Sequence, residues 1–522
     1  MKSLITTPIF YTNGTPHIGH LYTLILADAV RAWKRICGHQ TRLMTGTDEH
    51  GIKIQKKAKA LGITPLQLCD KNSQLFRKLT AEAGIKADDF IRTTEERHHN
   101  TVKQIWTELH KRNYLEVGNH EGYYSVNDEC FYVEKDLTAK ENEDTNQIEY
   151  FTELGEKVNW ITEQNYLFKF DDNIKKNVHD WINSDTNPIS PEYMKNLMLK
   201  SLTESKSHLS VSRPKSRVKW GIDIPKIPGD IIKSDQTVYV WLDALFNYKT
   251  VNDGFGDFNG ELVHIIGKDI AKFHCIYWPA FLSAAELDLP KKVIVHGHWT
   301  KDNLKMSKSI GNVVDPFDII KENGINAVRS YLLSYGPQSS DSNFEVEKLV
   351  NFHDSVIIDG FINMFFRLTG KKVLDKLHIQ LADIEFTPED RELIENAKNY
   401  TQECIRELND LNFSMNSIQG NALKSLIDLG NWYLNHNEFW RVKCEKRLST
   451  IRYVIFELTR IISTILYPYC PEISTNILEC LNVPTSEMTI KSLEEPFTRE
   501  RFDINKEKRL KLFFKKINPK VK

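Results

Sequence analysis

Two histidines and two lysines are the residues of this chain best suited to hold a polyphosphate. The histidines lie in TPIFYTNGTPHIGHLYTLILADAV, residues 7–30, where a strand-like run gives way to Asn-Gly, a proline and then His17-Ile18-Gly19-His20. His17 and His20, three apart, fall on one side of a helix start. Backbone N–H groups and the dipole at that end already favour an anion, and two imidazoles added there make a clamp for phosphate. Gly19 has no side chain, so a flat ring can approach the backbone, and Pro16 suits the first turn. Two helix-start histidines on a solvated surface are the plainer alternative. The lysines lie in NLKMSKSIGN, residues 303–312, after the strand-like KVIVHGH. Lys305, Met306, Ser307 and Lys308 put cations beside small residues on a loop, which suits a polyphosphate. Alone, that string also reads as a solvated basic loop.

Both strings act together only if the fold brings them to one place. Residues 3–11 read as a buried strand, and 17–37 as a helix with Leu21, Leu24, Ala29 and Trp33 among its apolar positions. TRLMTGTDEHG reads as a second strand ending in a polar loop, and helices follow to about residue 116. Strand–helix–strand order marks a parallel sheet. Residues 118–224 change to short aromatic strands around the acidic KENEDTNQIE. The alternating pattern resumes in TVYVWLDAL, ELVHIIGKDI and KKVIVHGHW, and beyond residue 345 long amphipathic helices take over. The expected architecture is α/β: a Rossmann-like parallel-sheet catalytic domain, 1–117 and 225–345, split by a connective insert, 118–224. An all-helical domain and tail, 346–522, follow.

The chain has 522 residues with 69 basic and 70 acidic side chains, a length for two to four domains. No apolar run reaches membrane-spanning length. The opening MKSLITTPIFY reads at once as a strand, without the pattern of a signal or transit peptide. Eight cysteines, at 37, 69, 130, 275, 404, 444, 470 and 480, form no C-x-x-C pair. Scattered thiols lead us to expect a reducing, cytoplasmic setting. Neutral net charge leaves nucleic acid open, because a local basic stretch suffices, and EKRLKLFFKKINPKVK ends the chain.

HIGH and KMSKS together resemble the two signatures of class I aminoacyl-tRNA synthetases. Their flanks, TPIFYTNGTPHIGH, TGTDEHG, YVWLDAL, HIIGKDI and LKMSKSIGN, are similar to the methionyl enzymes over essentially the whole chain. The resemblance implies two steps: methionine attacks the α-phosphate of ATP, and the terminal adenosine of tRNA(Met) then takes the methionyl group through its 2′-hydroxyl. Alignment and charge stabilisation carry such chemistry, without a side-chain nucleophile. By resemblance His17, Gly19, His20, Gly267, Asp269, His296, Lys305, Met306, Ser307 and Lys308 bind ATP, with Mg2+ sharing the charge of the departing pyrophosphate. Lys305 and Lys308 hold that pyrophosphate and Asp269 the ribose hydroxyls; as a plain helix N-cap, Asp269 has an equally compatible second role.

Methionine is an unbranched thioether, so its pocket is expected to be aromatic and largely apolar, with one anion for the ammonium. Asp48 of TGTDEHG is the anion chosen. Ile9, Tyr11, Trp241, Ala244, Tyr248, Ile270, His274 and Trp278 match the family's pocket positions. Ile270, His274 and Trp278, at i, i+4 and i+8, would share a helical face; ordinary core packing also accounts for these apolar residues. Leu245 stands where many relatives carry proline or another small residue.

Many methionyl enzymes carry zinc-binding cysteine knuckles in the insert. Here that stretch holds Cys130 alone, and one thiol cannot build a tetrahedral sulfur site. The resemblance is therefore to the knuckle-free branch of bacterial and mitochondrial type, with no zinc or other metal site expected in the protein. The insert is also too short to be the editing domain of the isoleucyl, valyl and leucyl enzymes. By resemblance Asn363, Arg367 and Trp440 recognise the anticodon: an indole offers a base a stacking platform, and Asn and Arg read its edge. Trp440 as a bundle core residue is the alternative. The expected partners are L-methionine, ATP and tRNA(Met), with no membrane, and the expected state is a monomer. Two rivals remain: another class I synthetase or a nucleotidylyltransferase sharing the histidine motif, and a non-catalytic RNA-binding paralogue. The transferase has no need of KMSKS and a bundle, and the paralogue would carry decayed motifs.

Overall fold

A computed structural model of the chain describes residues 1–125, 130–132, 134–141, 148–152, 155–226, 235–256, 260–306, 311–338, 340–370, 378–414 and 421–517. Ser307 and Lys308 lie outside the described residues.

The sheet grows from β1 (Lys2–Tyr11) and β2 (Gln40–Asp48), joined by helix α1 (Ile18–Ile36). Next to β2 lies β3 (Asp89–Arg92), and on the other side of β1 come Glu261–Gly267, Lys292–His296 and Ile189–Ser190. All five pairings are parallel. Successive strands run outward from β1 in opposite directions, so the order reverses between β1 and Glu261–Gly267. A crevice at the carboxyl ends of these two strands is where such sheets take ligands. The β1–β2 register shifts between Thr6 and Ile9. Pro8, without an N–H to donate, is tolerated in a central strand at such a bulge.

Helix α1 buries fifteen of its nineteen residues, so it has packing partners on both sides. One side is the sheet; the other is Ile325–Tyr335 and the helical region beyond, and a single hydrophobic cluster runs from Ile5 to Phe502. Asp28, buried in α1, meets Arg31 and Arg329, whose Nε donates to the Pro468 carbonyl. A buried charge of this kind is tolerated because it is paired.

Two stretches differ from the sequence expectation. Ile189–Ser190, within residues 118–224, returns to the catalytic sheet as its sixth strand. Of TVYVWLDAL only Thr237 and Val238 are strand, in Gln236–Val238, which pairs with Ser212–Pro214 outside the main sheet, and Val240–Leu245 is a helix. The antiparallel sheet of the insert centres on Leu115–Ser125 against Lys157–Lys169. Among the described residues after Ser342–Asn343 the elements are helical apart from one strand pair, His378–Gln380 with Arg501–Asp503.

Candidate active site

A cavity of about 400 Å³ opens at the switch point and is lined by both motifs. His17 is the N-cap of α1, so Pro16 precedes the helix instead of occupying its first turn. The cap is a reciprocal box made by the two histidines. Gly19 N–H donates to His17 Nδ1 at 3.1 Å, and His17 N–H donates to His20 Nδ1 at 3.0 Å. Both Nδ1 atoms are acceptors, so the neutral rings carry their protons on Nε2. That leaves Nε2–H of each ring as a donor for an anion at this end. The rings lie 3.7 Å apart, and His20 packs against Phe10 and Phe76 at 4.9 and 5.2 Å.

The lysine loop is tied to this cap. Ile18 N–H, at the start of α1, donates to the Val314 carbonyl at 3.2 Å. On the near side of the loop, Trp299–Lys301 and Leu304–Lys305 form a hairpin. Its turn residues Asp302 and Asn303 have φ of 55° and 59°, the left-handed values of a two-residue hairpin turn. On the far side Asp315 caps helix Pro316–Asn323, accepting from Phe317 N–H at 2.8 Å. Lys305 and Met306 line the cavity.

At the Gly267 end, Asp269 opens onto the cavity and His298 Nε2 meets its Oδ1 at 3.3 Å. Seclusion pushes the Asp269 carboxyl up, but the bond and charge of His298 outweigh it and hold it below its ordinary value. A side chain at Gly267 would place its Cβ 2.7 Å from Asp269 Oδ1. His296 lies on the wall with Nδ1 at 2.7 Å from the Gly297 carbonyl and Nε2 at 2.9 Å from Thr23 Oγ1. Burial lowers it to about 4, so this ring is neutral.

The other half of the cavity is apolar and aromatic: Ile9, Tyr11, Trp241, Ala244, Tyr248, Ile270 and His274, with Leu245 and Asp48. The Asp48 carbonyl accepts from Thr12 N–H at 3.0 Å, tying the ends of β1 and β2. Tyr248 Oη lies 2.7 Å from His274 Nε2, and His274 Nδ1 lies 3.0 Å from the Ile270 carbonyl. The carbonyl can only accept, so Nδ1 carries the proton and Tyr248 donates to Nε2. Burial lowers His274 to about 4.

Trp278 is not on this wall. The segment passes from a 3-10 turn at Lys268–Ile270 through a π turn at Phe273–Tyr277 before Trp278. Residues eight apart therefore do not share the face that a uniform α-helix would give them. Trp278 packs behind Tyr248, ring centres 5.8 Å apart, and its Nε1–H donates to His264 Nε2 at 3.2 Å.

Several contributors escaped the sequence analysis. Phe273 stacks on Trp241 at 3.7 Å. His298 meets Asp269, and Lys53 sits 5.6 Å over the Tyr11 ring. Asp243 joins His50 Nδ1 and His98 Nε2, each at 2.7 Å, and so clamps the loop after Asp48 to the helix of Trp241 and Ala244. Burial pushes the Asp243 carboxyl up, but the two imidazoles outweigh it and hold it well down. The clustered histidines in HGHW and ERHHN were the available signal.

Asn363, Arg367 and Trp440 lie far along the chain on the helical region. A π stretch, His353–Ile362, precedes Asn363–Leu368 and leaves Asn363 exposed. The Arg367 guanidinium sits 5.2 Å from the Phe439 ring centre and 6.0 Å from that of Trp440. Trp440 is 56% exposed and is not core.

Among the described residues no three His, Cys, Asp or Glu side chains are arranged to hold a metal ion, and no helix is long and apolar enough to cross a membrane.

The family model described as tRNA synthetases class I (M) matches residues 3–369. A probable mitochondrial methionine–tRNA ligase of Dictyostelium discoideum is 39% identical, over 92% of this chain and 86% of the relative. The mitochondrial methionine–tRNA ligase of Homo sapiens is 36% identical over 96% and 87%. Methionyl-tRNA synthetase of Mycobacterium tuberculosis in complex with methionyl-adenylate superposes with a TM-score of 0.85 at 29% identity, covering 97% of this chain and 98% of that one. The mitochondrial relatives overturn the cytoplasmic setting expected above: reduced thiols mark a reducing compartment without saying which one. With the family model covering both signature motifs and relatives matching nearly end to end, the chain belongs to the class I tRNA synthetases of the methionyl type.

Proposed function

We propose that the switch-point cavity binds ATP and L-methionine side by side and joins them. A methionine carboxylate oxygen bonds to the α-phosphorus as the bond to the β-phosphate oxygen breaks, giving methionyl-adenylate and pyrophosphate. The 2′-hydroxyl of the terminal tRNA adenosine then attacks the methionyl carbonyl, releases AMP and gives up its proton. The protein aligns the reactants and stabilises charge. His17 and His20 donate Nε2–H to phosphate oxygens. Lys305 and Lys308 hold pyrophosphate, and their grip counts most as the charge leaves. Mg2+ carried by the triphosphate would neutralise part of that charge, with Lys305 and Lys308 holding the rest. Asp269 takes the ribose hydroxyls with His298 beside it, and Asp48 takes the ammonium of methionine.

The aromatic half of the cavity receives the thioether, which favours contact with ring edges. Asn363, Arg367 and Trp440 receive the anticodon of tRNA(Met). The protein acts as a monomer, and the relatives favour service in mitochondrial protein synthesis.

The observation that carries this reading is the bond from Ile18 N–H to Val314: it fixes the histidine cap and the lysine loop to one cavity. Amino-acid-dependent exchange between pyrophosphate and ATP tests it. Exchange should respond to methionine and not to leucine; an equal response to leucine overturns the pocket assignment.

A further inference from the structure

The carboxy-terminal segment runs back along the helix that carries Asn363 and Arg367. Arg509 lies 3.6 Å over the Phe366 ring, and its Nε donates to Thr369 Oγ1 at 2.7 Å. Further on, Lys516 Nζ ion-pairs with Asp359, and Ile517 N–H donates to Asp354 Oδ1 at 2.9 Å. The contacts thus proceed from 369 down to 354 as the tail proceeds from 509 to 517. Asp359 is bound on both carboxylate oxygens: Oδ2 meets Lys516, and Oδ1 accepts from Asn363 Nδ2 at 3.1 Å.

That second bond fixes an orientation. An amide turned the other way would set its carbonyl oxygen against a carboxylate oxygen, two acceptors facing each other. With Nδ2 turned to Asp359, the amide plane is fixed and the carbonyl of Asn363 is the acceptor it offers to a base, beside the second Nδ2–H. One turn along, Arg367 uses Nη2 on Asn435 Oδ1 at 2.6 Å and otherwise offers only donors. The exposed edge therefore reads acceptor, then donors. Cytosine offers the complement along its pairing edge: an amino donor, then two acceptors. Uracil and guanine set an acceptor against the amide carbonyl, and adenine, with the same amino donor, lacks the third acceptor.

We propose that Asp359, held by Lys516 of the tail, is a positioning residue that locks the Asn363 amide carbonyl-outward and so makes cytosine the base this edge accepts. The proposal rests on the anticodon reading of Asn363 and Arg367. Lys516 has a second effect: it neutralises a carboxylate that would otherwise face RNA phosphates.

The test is kcat/KM for charging two transcripts of the methionine tRNA, with cytosine or uridine at the first anticodon position; methionine-dependent exchange monitors the folding of each variant. Asp359→Leu should lower the cytosine-to-uridine ratio by a factor of about 5 to 150, the worth of one good base contact. A purely structural defect would slow both transcripts alike and leave the ratio in place. Lys516→Met should weaken charging of both transcripts and lower the ratio in part, and Lys516→Arg should restore both. Asn363→Ala separates the two ideas. If it abolishes discrimination while Asp359→Leu retains it, the lock is wrong and the anticodon reading stands. If Asn363→Ala retains discrimination, both fall.

Discussion

The histidine cap makes its sharpest prediction at His20, because this one ring does two jobs through two atoms. Nδ1 accepts from the His17 N–H at 3.0 Å, which completes the helix cap; Nε2–H is the donor assigned to phosphate. His20→Ala removes both. Losing a capping interaction costs about 0.5–2 kcal/mol of stability, which for a protein of this size lowers Tm by only a few degrees. Losing a donor aimed at developing negative charge costs about 2.7–4 kcal/mol, or 10²–10³ in rate. His20→Asn divides the two effects. Its Oδ1 takes the place of Nδ1 and restores the bond to His17, but the side chain is too short to reach the position of Nε2. Methionine-dependent exchange should therefore stay low in both variants, while the Tm of His20→Asn recovers most of the loss. If His20→Asn exchanged at the rate of the unsubstituted protein, the division of labour between the two ring nitrogens would be wrong.

Gly267→Ala places a Cβ 2.7 Å from Asp269 Oδ1; KM for ATP should rise several-fold with KM for methionine nearly constant, and equal changes in both would disprove a local effect at the ribose. Trp278→Phe removes the donor to His264 Nε2. It should cost about 1–3 kcal/mol in denaturant unfolding with little change in KM for methionine, since the ring stands behind the wall. His274 and His296, both buried, take up a proton only near pH 4 when folded, whereas unfolded imidazoles do so near 6.5. The unfolded chain binds more protons through that window, so Tm should fall as pH drops from about 6.5 to 4, the loss of unfolding free energy reaching up to about 3 kcal/mol per group. His274→Gln should flatten that slope, and an unchanged slope would mean the ring is not held neutral.

Much of the site was legible because it is local. A strand, a tight turn and an H-x-G-H string at a helix start lie within thirty residues, so the amino-acid types already imply a cap, a dipole and a phosphate-facing end. The same holds for a lysine loop leaving a strand. Distant parts were legible only as inventory. The aromatic residues of the pocket could be named, but not ranked as wall or backing.

The sequence by itself determined most of the element types, the parallel character of the main sheet and the residues whose types suit the proposed chemistry. All of these follow from spacing and side-chain character within short windows. Tertiary structure alone decided which residues meet. A π turn displaced Trp278 from the face that regular helical spacing assigns it. A bond across almost three hundred residues joined Ile18 to Val314. Ile189–Ser190 entered the sheet from within the insert, and the tail reached Asp359 from the far end of the chain. Each depends on hydrogen bonds or packing between segments remote in sequence, and short-range periodicity carries no information about such pairings.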